Sequence, residues 1–121
     1  MSLLVNLVSK SPDVCIEDFE EMLTRQDLFG FEVWRKTLWG HKYLEKLGCV
    51  LLPKLKHGDL YLYDNDLENI KQEFEKVLLN LSIIQDITNI DSETIKQRIY
   101  NALEAVRVAQ LHVDKIGIVL W

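Results

Sequence analysis

The chain of 121 residues has little of what cross-links, bends or breaks a small protein: two cysteines, two prolines and five glycines. Cys15 and Cys49 cannot build a disulfide framework, and neither stands at the spacing of a metal-binding motif. Both have apolar neighbours, which predicts small core residues in a protein of the reducing cytoplasm. The glycines stand singly, so the sequence contains no glycine-rich loop that could cradle a phosphate.

Catalytic motifs are missing as well. The sequence has no GxSxG nucleophile motif, and neither cysteine lies in a recognisable active-site context. His41, His57 and His112 form no HxH or HxxxH pair and are predicted to be surface residues near helix ends. We therefore expect no catalytic residues, no cofactor and no metal. An enzyme of an unrecognised kind would need a cleft in which His41 or His57 meets a carboxylate such as Asp59 or Asp64.

Long apolar runs and an excess of basic residues are also absent. No segment approaches the roughly 18 apolar residues of a membrane-spanning helix. The apolar stretch 2–8 has neither the basic region nor the cleavage site of a signal peptide. The chain carries 19 acidic and 14 basic residues, a net charge of −5. Since such a surface repels phosphates and anionic lipids, we expect no nucleic-acid partner and no membrane.

The composition that remains is that of a globular protein, with 48% hydrophobic and 27% charged residues. This length and composition predict a single domain over residues 1–121 with one hydrophobic core. Runs of branched apolar residues predict a small sheet, with strands at about 3–9, 31–38 and 116–121. We expect the first and last strands to be central, because they are the most apolar. Residues 60–63 form a further short extended piece.

Apolar residues at helical spacing predict four helices, at about 16–27, 41–56, 65–84 and 92–113. The second is expected to kink near Pro53, which removes a backbone donor. Two alternatives remain: a strand over 49–52, and a helix in place of the strand over 31–38. A small sheet covered by helices is an α+β fold.

The segment 34–42 is the most distinctive part of the sequence, since it concentrates cations and two of the three tryptophans in an acidic chain. Trp and Arg dominate binding hot spots, so a partner-binding patch is predicted. Its residues are Trp34, Arg35, Lys36, Trp39, His41 and Lys42. The alternative is that the tryptophans fill the core while Arg35 and Lys36 are solvated.

The last two predicted helices carry apolar residues away from their main apolar stripes, and a second apolar face needs cover. The cover is either the domain itself or a partner chain, often an identical one. The residues of this predicted interface are Leu79, Ile83, Tyr100, Val108 and Leu111.

The apolar N-terminal strand, and the long helix that runs into a terminal strand over 93–121, resemble the element order of barstar-type inhibitors, a family of small acidic bacterial proteins. The resemblance covers the two ends of the chain and carries over no inhibitory acidic residue. It implies an α+β fold and a role in inhibiting a protein. We therefore expect a non-catalytic interaction domain, such as an immunity or antitoxin-type inhibitor or an adaptor. The alternative is a homo-oligomeric regulatory or ligand-binding domain.

Overall fold

The structure, a computed structural model, describes residues 1–121. Its four strands are β1 Ser2–Ser9, β2 Leu28–Phe31, β3 Leu60–Leu62 and β4 Ile116–Leu120. Its five α-helices are α1 Glu17–Glu20, α2 Lys42–Lys46, α3 Asn65–Leu78, α4 Leu81–Thr88 and α5 Ser92–Leu111. A π-helical turn, Arg35–Trp39, and a 3-10 helix, Leu52–Lys56, complete the fold. The α+β prediction is confirmed. None of the helices is both long and apolar enough to cross a membrane.

The four strands form one antiparallel sheet in the order β2-β1-β4-β3. The prediction that the first and last strands are central is therefore confirmed. In the register, Leu7 of β1 and Leu62 of β3 both lie opposite Ile118 of β4. All five residues of β4 are buried. Ile116, Ile118 and Leu120 face the core, whereas Gly117 and Val119 are covered by side chains of the neighbouring strands.

One face of the sheet, the inner face, carries the core. Along β1 the side chains alternate, so that Leu3, Val5 and Leu7 are buried while the residues between them are not. Helix α5 contacts β1, β2 and β4, and α3 and α4 pack against α5. A single cluster of 29 buried residues runs from Leu3 to Leu120. The helices thus form one layer on one face of the sheet.

The predicted strand over 31–38 is wrong, because the strand in this region is Leu28–Phe31 and a π-helical turn follows it. Gly30 has a φ of +114°, and a Cβ at that position would lie 2.2 Å from the Trp34 ring. The chain therefore turns at Gly30 and folds Trp34 back towards the core. Trp34 and Leu38, four residues apart, are buried, whereas Val33 is exposed. The second alternative, a helical segment, is the better description.

The sheet has four strands rather than the three predicted, because the extended piece at 60–63 joins it as β3. With three residues in the strand, the alternation signal is too short to identify it from sequence. Pairing with the apolar β4 supplies the backbone partners that this piece needs.

Two of the predicted helices are much shorter than expected. The helix predicted over 16–27 is one turn, Glu17–Glu20, and the remainder to β2 is irregular. The helix predicted over 41–56 consists of α2 and the 3-10 helix, separated at Gly48, which has a φ of +93°. Pro53 lies in the first turn of the 3-10 helix, where its missing N–H costs nothing.

The helix predicted over 65–84 is two helices, since α3 ends at Leu78 and α4 begins at Leu81. Asn80, with φ −124° and ψ 21°, marks the break. Its side-chain amide donates to the carbonyl of Lys76 at 2.8 Å, which caps the end of α3. The helix predicted over 92–113 is confirmed as α5, which ends at Leu111.

Candidate interaction surfaces

The tryptophans of segment 34–42 are core residues. Trp39 is completely buried and stacks on Phe29, with ring centroids 4.7 Å apart and planes 5° from parallel. Trp34 is 4% exposed and meets Trp39 edge to face. The prediction that these two residues anchor a partner is therefore wrong, and the core alternative is correct for both. Large aromatic area drove them inwards despite the cations beside them.

Arg35, the main cation of the predicted patch, is a structural clamp. Its guanidinium donates to the backbone carbonyls of Leu55 (3.1 Å) and Gly58 (2.8 Å) and forms ion pairs with Glu32 and Asp59. Burial by itself would lower the pKa of Arg35, but its hydrogen bonds to Asp59 and Glu32 raise the pKa overall. These contacts occupy much of its hydrogen-bonding capacity, and they tie the π-helical turn to the 3-10 helix and the approach to β3.

The other polar residues of the patch have separate positions. Lys36 and Lys42 are exposed and form no ion pair. His41 is the N-cap of α2, where its Nδ1 accepts a hydrogen bond from the backbone N–H of Tyr43 at 3.0 Å. Of the six predicted residues, only these two lysines remain free to contact a partner.

The predicted interface residues do not share one surface. Val108 is completely buried, so its assignment to an interface is wrong. Leu79 and Ile83 are 85% and 47% exposed, and both lie where α3 gives way to α4. Leu111, at the end of α5, is 60% exposed. Tyr100 is 39% exposed, and Arg25 lies 5.6 Å from its ring centroid.

Ile87 extends the surface around Ile83, since it lies one turn later on α4 and is 46% exposed. The opposite side of α4 holds Ile84, which is completely buried. Helix α4 is thus apolar on both sides, and its outer side, with Leu79, forms what we call the α4 stripe: Leu79, Ile83 and Ile87.

The face of the sheet opposite the core carries no layer of helices, and the sequence did not identify it as a surface. We call it the outer face. Strand register places the following residues on it: Ser2, Leu4, Asn6, Val8, Lys10, Leu28, Phe31, Tyr61, Tyr63, Lys115, Gly117, Val119 and Trp121. Three aromatic residues on it are about half exposed, namely Phe31, Tyr61 and Trp121, at 47%, 57% and 47%.

Two aromatic side chains of the outer face, Trp121 and Tyr63, have close neighbours on it. The indole N–H of Trp121 donates to the side-chain oxygen of Asn6 at 2.8 Å, which fixes the ring across β1. Tyr63 lies over Gly117, where a Cβ would come within 2.5 Å of its ring. Val119, between Asn6 and Tyr61 in the register, is only 4% exposed. The centre of the outer face is therefore an uncharged surface rich in apolar and aromatic side chains, while the register continues at one end to Lys10 and Lys115.

A buried carboxylate organises the helical layer beside the sheet. Glu73 of α3 is 5% exposed and accepts hydrogen bonds from the backbone N–H groups of Val50, Leu51 and Leu52, at 2.9–3.1 Å. These N–H groups lead into the 3-10 helix and have no helical partner of their own. Sequence periodicity gives no hint of this role, because the partners are about 20 residues away.

The two thiols have different surroundings. Cys49 is buried, and burial raises the pKa of its thiol to about 11, with the charge of Glu73 adding to the effect. Cys15 is exposed, and its hydrogen bond to Glu17 raises the pKa of this thiol as well. The prediction that both cysteines are core residues is therefore confirmed for Cys49 and wrong for Cys15.

The histidines and carboxylates considered for catalysis are not brought together. Asp59 pairs with Arg35, and Asp64 pairs with Lys10. His57 is exposed at the end of the 3-10 helix, and neither carboxylate is hydrogen-bonded to a histidine. His112 packs against the ring of Phe19, with centroids 4.8 Å apart. Each of these groups has a local structural partner or is solvated.

No protein-family model, no curated protein and no solved structure matches this chain. The resemblance to barstar-type inhibitors receives no support from these comparisons. Proposals about function therefore depend on the surfaces described above.

Proposed function

We propose that this chain is a non-catalytic protein-interaction domain of the cytoplasm that binds a basic protein through its outer face. The observation that carries the proposal is the apolar, aromatic surface of the uncovered sheet. Phe31, Tyr61 and Trp121 expose about half of their area there. Large exposed apolar patches commonly mark the interaction sites of soluble proteins, and aromatic residues are enriched at such sites.

The charge of the chain supports the choice of a basic protein as the partner. The only lysines of the outer face are Lys10 and Lys115 at one end, and Lys10 is paired with Asp64. So little positive charge to meet a phosphate backbone disfavours single-stranded nucleic acid in spite of the aromatic rings. The chain around the face has a net charge of −5. A partner with an apolar patch inside a basic rim is complementary to both features and is drawn in by the acidic field.

The small area of the outer face disfavours the binding of a second copy of the chain through this face. The four strands have eight, four, three and five residues, and at about 4.8 Å between strands and about 3.3 Å per residue they give a surface of roughly 300 Å². A stable interface of standard size needs about 800 Å² from each partner. Two copies of this acidic chain would also repel each other. A basic protein, by contrast, can extend its contact area onto the acidic residues around the face. The proposed role is accordingly that of an inhibitor or an adaptor for such a protein.

The test uses two variants that make the same change of charge on different surfaces. Tyr61→Glu places a charge on the outer face, and Ile83→Glu places one on the α4 stripe. Wild type and both variants are used to capture proteins from the native host, and each captured protein is then purified and titrated by calorimetry. We expect a partner of basic isoelectric point that binds wild type and Ile83→Glu alike and binds Tyr61→Glu at least about tenfold more weakly.

The dependence of binding on salt concentration provides a second test. Binding to the purified partner should weaken as ionic strength rises, because the complementary charges at the rim are screened. A partner whose affinity is unchanged by Tyr61→Glu would overturn the assignment of the outer face. A partner that is itself acidic and insensitive to salt would overturn the assignment of its chemistry.

The α4 stripe favours a second candidate function, a homo-oligomeric regulatory domain. Leu79, Ile83 and Ile87 are 85%, 47% and 46% exposed and follow one another at intervals of four residues from the end of α3 along α4. Among the residues of α4, only Asp86 is charged, so two copies can approach through this helix. A solution mass of one chain at high concentration would exclude this candidate. A mass of two chains that Ile83→Glu reduces to one would support it.

A further inference from the structure

A polar cleft of about 350 Å³ lies on the helical side of the molecule, between the segment that leads into β2 and the middle of α5. We call it the arginine cleft. It is lined by Thr24, Arg25, Gln26, Gln97, Arg98 and Asn101. None of these side chains is acidic, and two are arginines, so the lining carries a charge of +2 in a chain that is acidic as a whole.

The charge of the cleft is not neutralised within the protein. The chain has four arginines, and two of them, Arg35 and Arg107, form ion pairs with carboxylates. Arg25 and Arg98 form none. Glu104, which Thr24 contacts at 3.5 Å, is itself paired with Arg107 at 2.7 Å.

Neutral groups hold Arg25 in position. Its Nε donates to the side-chain oxygen of Asn101 at 3.1 Å, and its guanidinium lies 5.6 Å from the ring centroid of Tyr100. Asn101 is in turn fixed by donating to the carbonyl of Leu28 at 2.8 Å. These contacts orient the guanidinium through its Nε and leave the other N–H groups free of side-chain partners.

One hydrogen-bond donor of the Arg98 side chain has no acceptor. Its Nε is buried and has no acceptor within the protein, a situation shared only with the indole nitrogen of Trp39. A buried donor without an acceptor costs about 1–3 kcal/mol. Because this atom is buried in the free protein, an anion in the cleft can accept from it only after the Arg98 side chain rotates. Such a rotation on binding would relieve a cost that the free protein carries.

We propose that the arginine cleft binds the phosphate group of a small phosphorylated molecule. Two guanidiniums balance the two negative charges of a phosphate monoester, and the guanidinium fork matches adjacent phosphate oxygens. Thr24, Gln26 and Gln97 add neutral donors around them. A single carboxylate would leave one of the two cations unbalanced. The site is independent of the outer face, since its residues lie on the helical side.

Inorganic phosphate is the probe for the test. The full chain, labelled with ¹⁵N, is titrated to roughly 10 mM phosphate at constant ionic strength, and the arginine Nε–H signals are followed. The variants are Arg25→Gln and Arg98→Gln, and the matched control is Lys71→Gln, which removes a cation of α3 that does not line the cleft. Circular dichroism confirms that each variant is folded, and Arg25 is exposed enough for its replacement to be tolerated.

We expect phosphate to shift the signals of Arg25 and Arg98, and each cleft variant to weaken its binding at least about tenfold. Lys71→Gln should bind phosphate as wild type does, and acetate at the same ionic strength should bind less tightly than phosphate. A wild-type chain that does not respond to phosphate overturns the proposal. So does equal binding in wild type and both cleft variants, and so does acetate binding as tight as that of phosphate.

Discussion

Two regions of this chain are rich in aromatic side chains, and the fold treats them in opposite ways. The segment 34–42 buries Trp34 and Trp39, at 4% and 0% exposure. The outer face leaves Tyr61 and Trp121 about half exposed. The first region has cations beside its aromatic residues and resembles a binding site in the sequence. The second has no cation next to these aromatic residues in the sequence and gives no such signal.

The comparison shows that the neighbours of an aromatic residue along the chain do not decide whether it is buried. Trp39 is buried because Phe29 and Phe74, from β2 and α3, converge on it. Trp121 is exposed because its face of the sheet has no helix to cover it. The charged residues beside Trp39 are accommodated by contacts made through Arg35 to a segment about 20 residues away.

The largest expected effect is the loss of Trp39. Trp39→Ala should lower the free energy of unfolding by about 3–5 kcal/mol, as for other buried aromatic residues cut to alanine. Trp121→Ala should lower it by about 1 kcal/mol or less, since half of that ring is already in water. Denaturant unfolding of both variants measures the difference. Equal losses of unfolding free energy would mean that the difference in burial between the two regions does not produce a difference in their contribution to stability.

Glu73 should be next in size. Glu73→Gln replaces one carboxylate oxygen by an amide that faces backbone donors, and we expect a loss of about 2–3 kcal/mol. The matched control is Glu75→Gln, an exposed residue of the same helix, which should stay within about 0.5 kcal/mol of wild type. Unfolding curves of the two variants decide whether the buried carboxylate holds the 3-10 helix.

Arg35 and Lys36 separate structural from free cations within segment 34–42. Arg35→Ala removes two bonds to carbonyls and two ion pairs and should cost about 2 kcal/mol. Lys36→Ala should change stability by less than about 0.5 kcal/mol. Thermal and denaturant unfolding measure both. If Lys36→Ala proved as costly as Arg35→Ala, the clamp would not be the reason for the loss.

The smallest effect concerns the thiols. At pH 8 a thiol reagent should label one group per native chain, Cys15, and two after unfolding. Glu17→Gln should speed the labelling of Cys15, because it removes the hydrogen bond that raises the pKa of that thiol. Labelling of both cysteines in the native chain would contradict the burial of Cys49.

Cys49 also makes stability depend on pH at the alkaline end. Its pKa is about 11 in the native chain, against 9.0 for a free thiol. The native state therefore holds the proton more tightly than the unfolded state does. The stabilisation is fully present below pH 9 and should be lost as the pH rises towards 11. Cys49→Ala should show a smaller loss of stability over this range than wild type.

The sequence predicts those parts of the fold whose signal is long and local. The apolar β1 and β4 and the amphipathic α5 follow from periodicity, and so does the central place of the two strands. The strand over 31–38 could not be predicted correctly, because the same aromatic and branched residues suit a strand and a buried turn. The choice between them is made by the turn at Gly30 and by the packing of Trp34, which involve tertiary contacts.

The surfaces were predicted less well than the fold. Leu79 and Ile83 are exposed as the helical geometry indicated, while Val108 lies on the side of α5 that faces the core. The arginine cleft was not foreseen, since Arg25 and Arg98 are 73 residues apart in the sequence and neither belongs to a motif.

The sequence by itself determined the acidic charge, the apolar end strands and the α+β class, because these depend on composition and on short periodic patterns. Only the tertiary structure decided which aromatic residues are covered, which cations are paired and which face of the sheet is open. Those outcomes depend on side chains that meet across long separations in the sequence. Burial and ion pairing depend on what lies nearby in space, and local patterns contain no record of it.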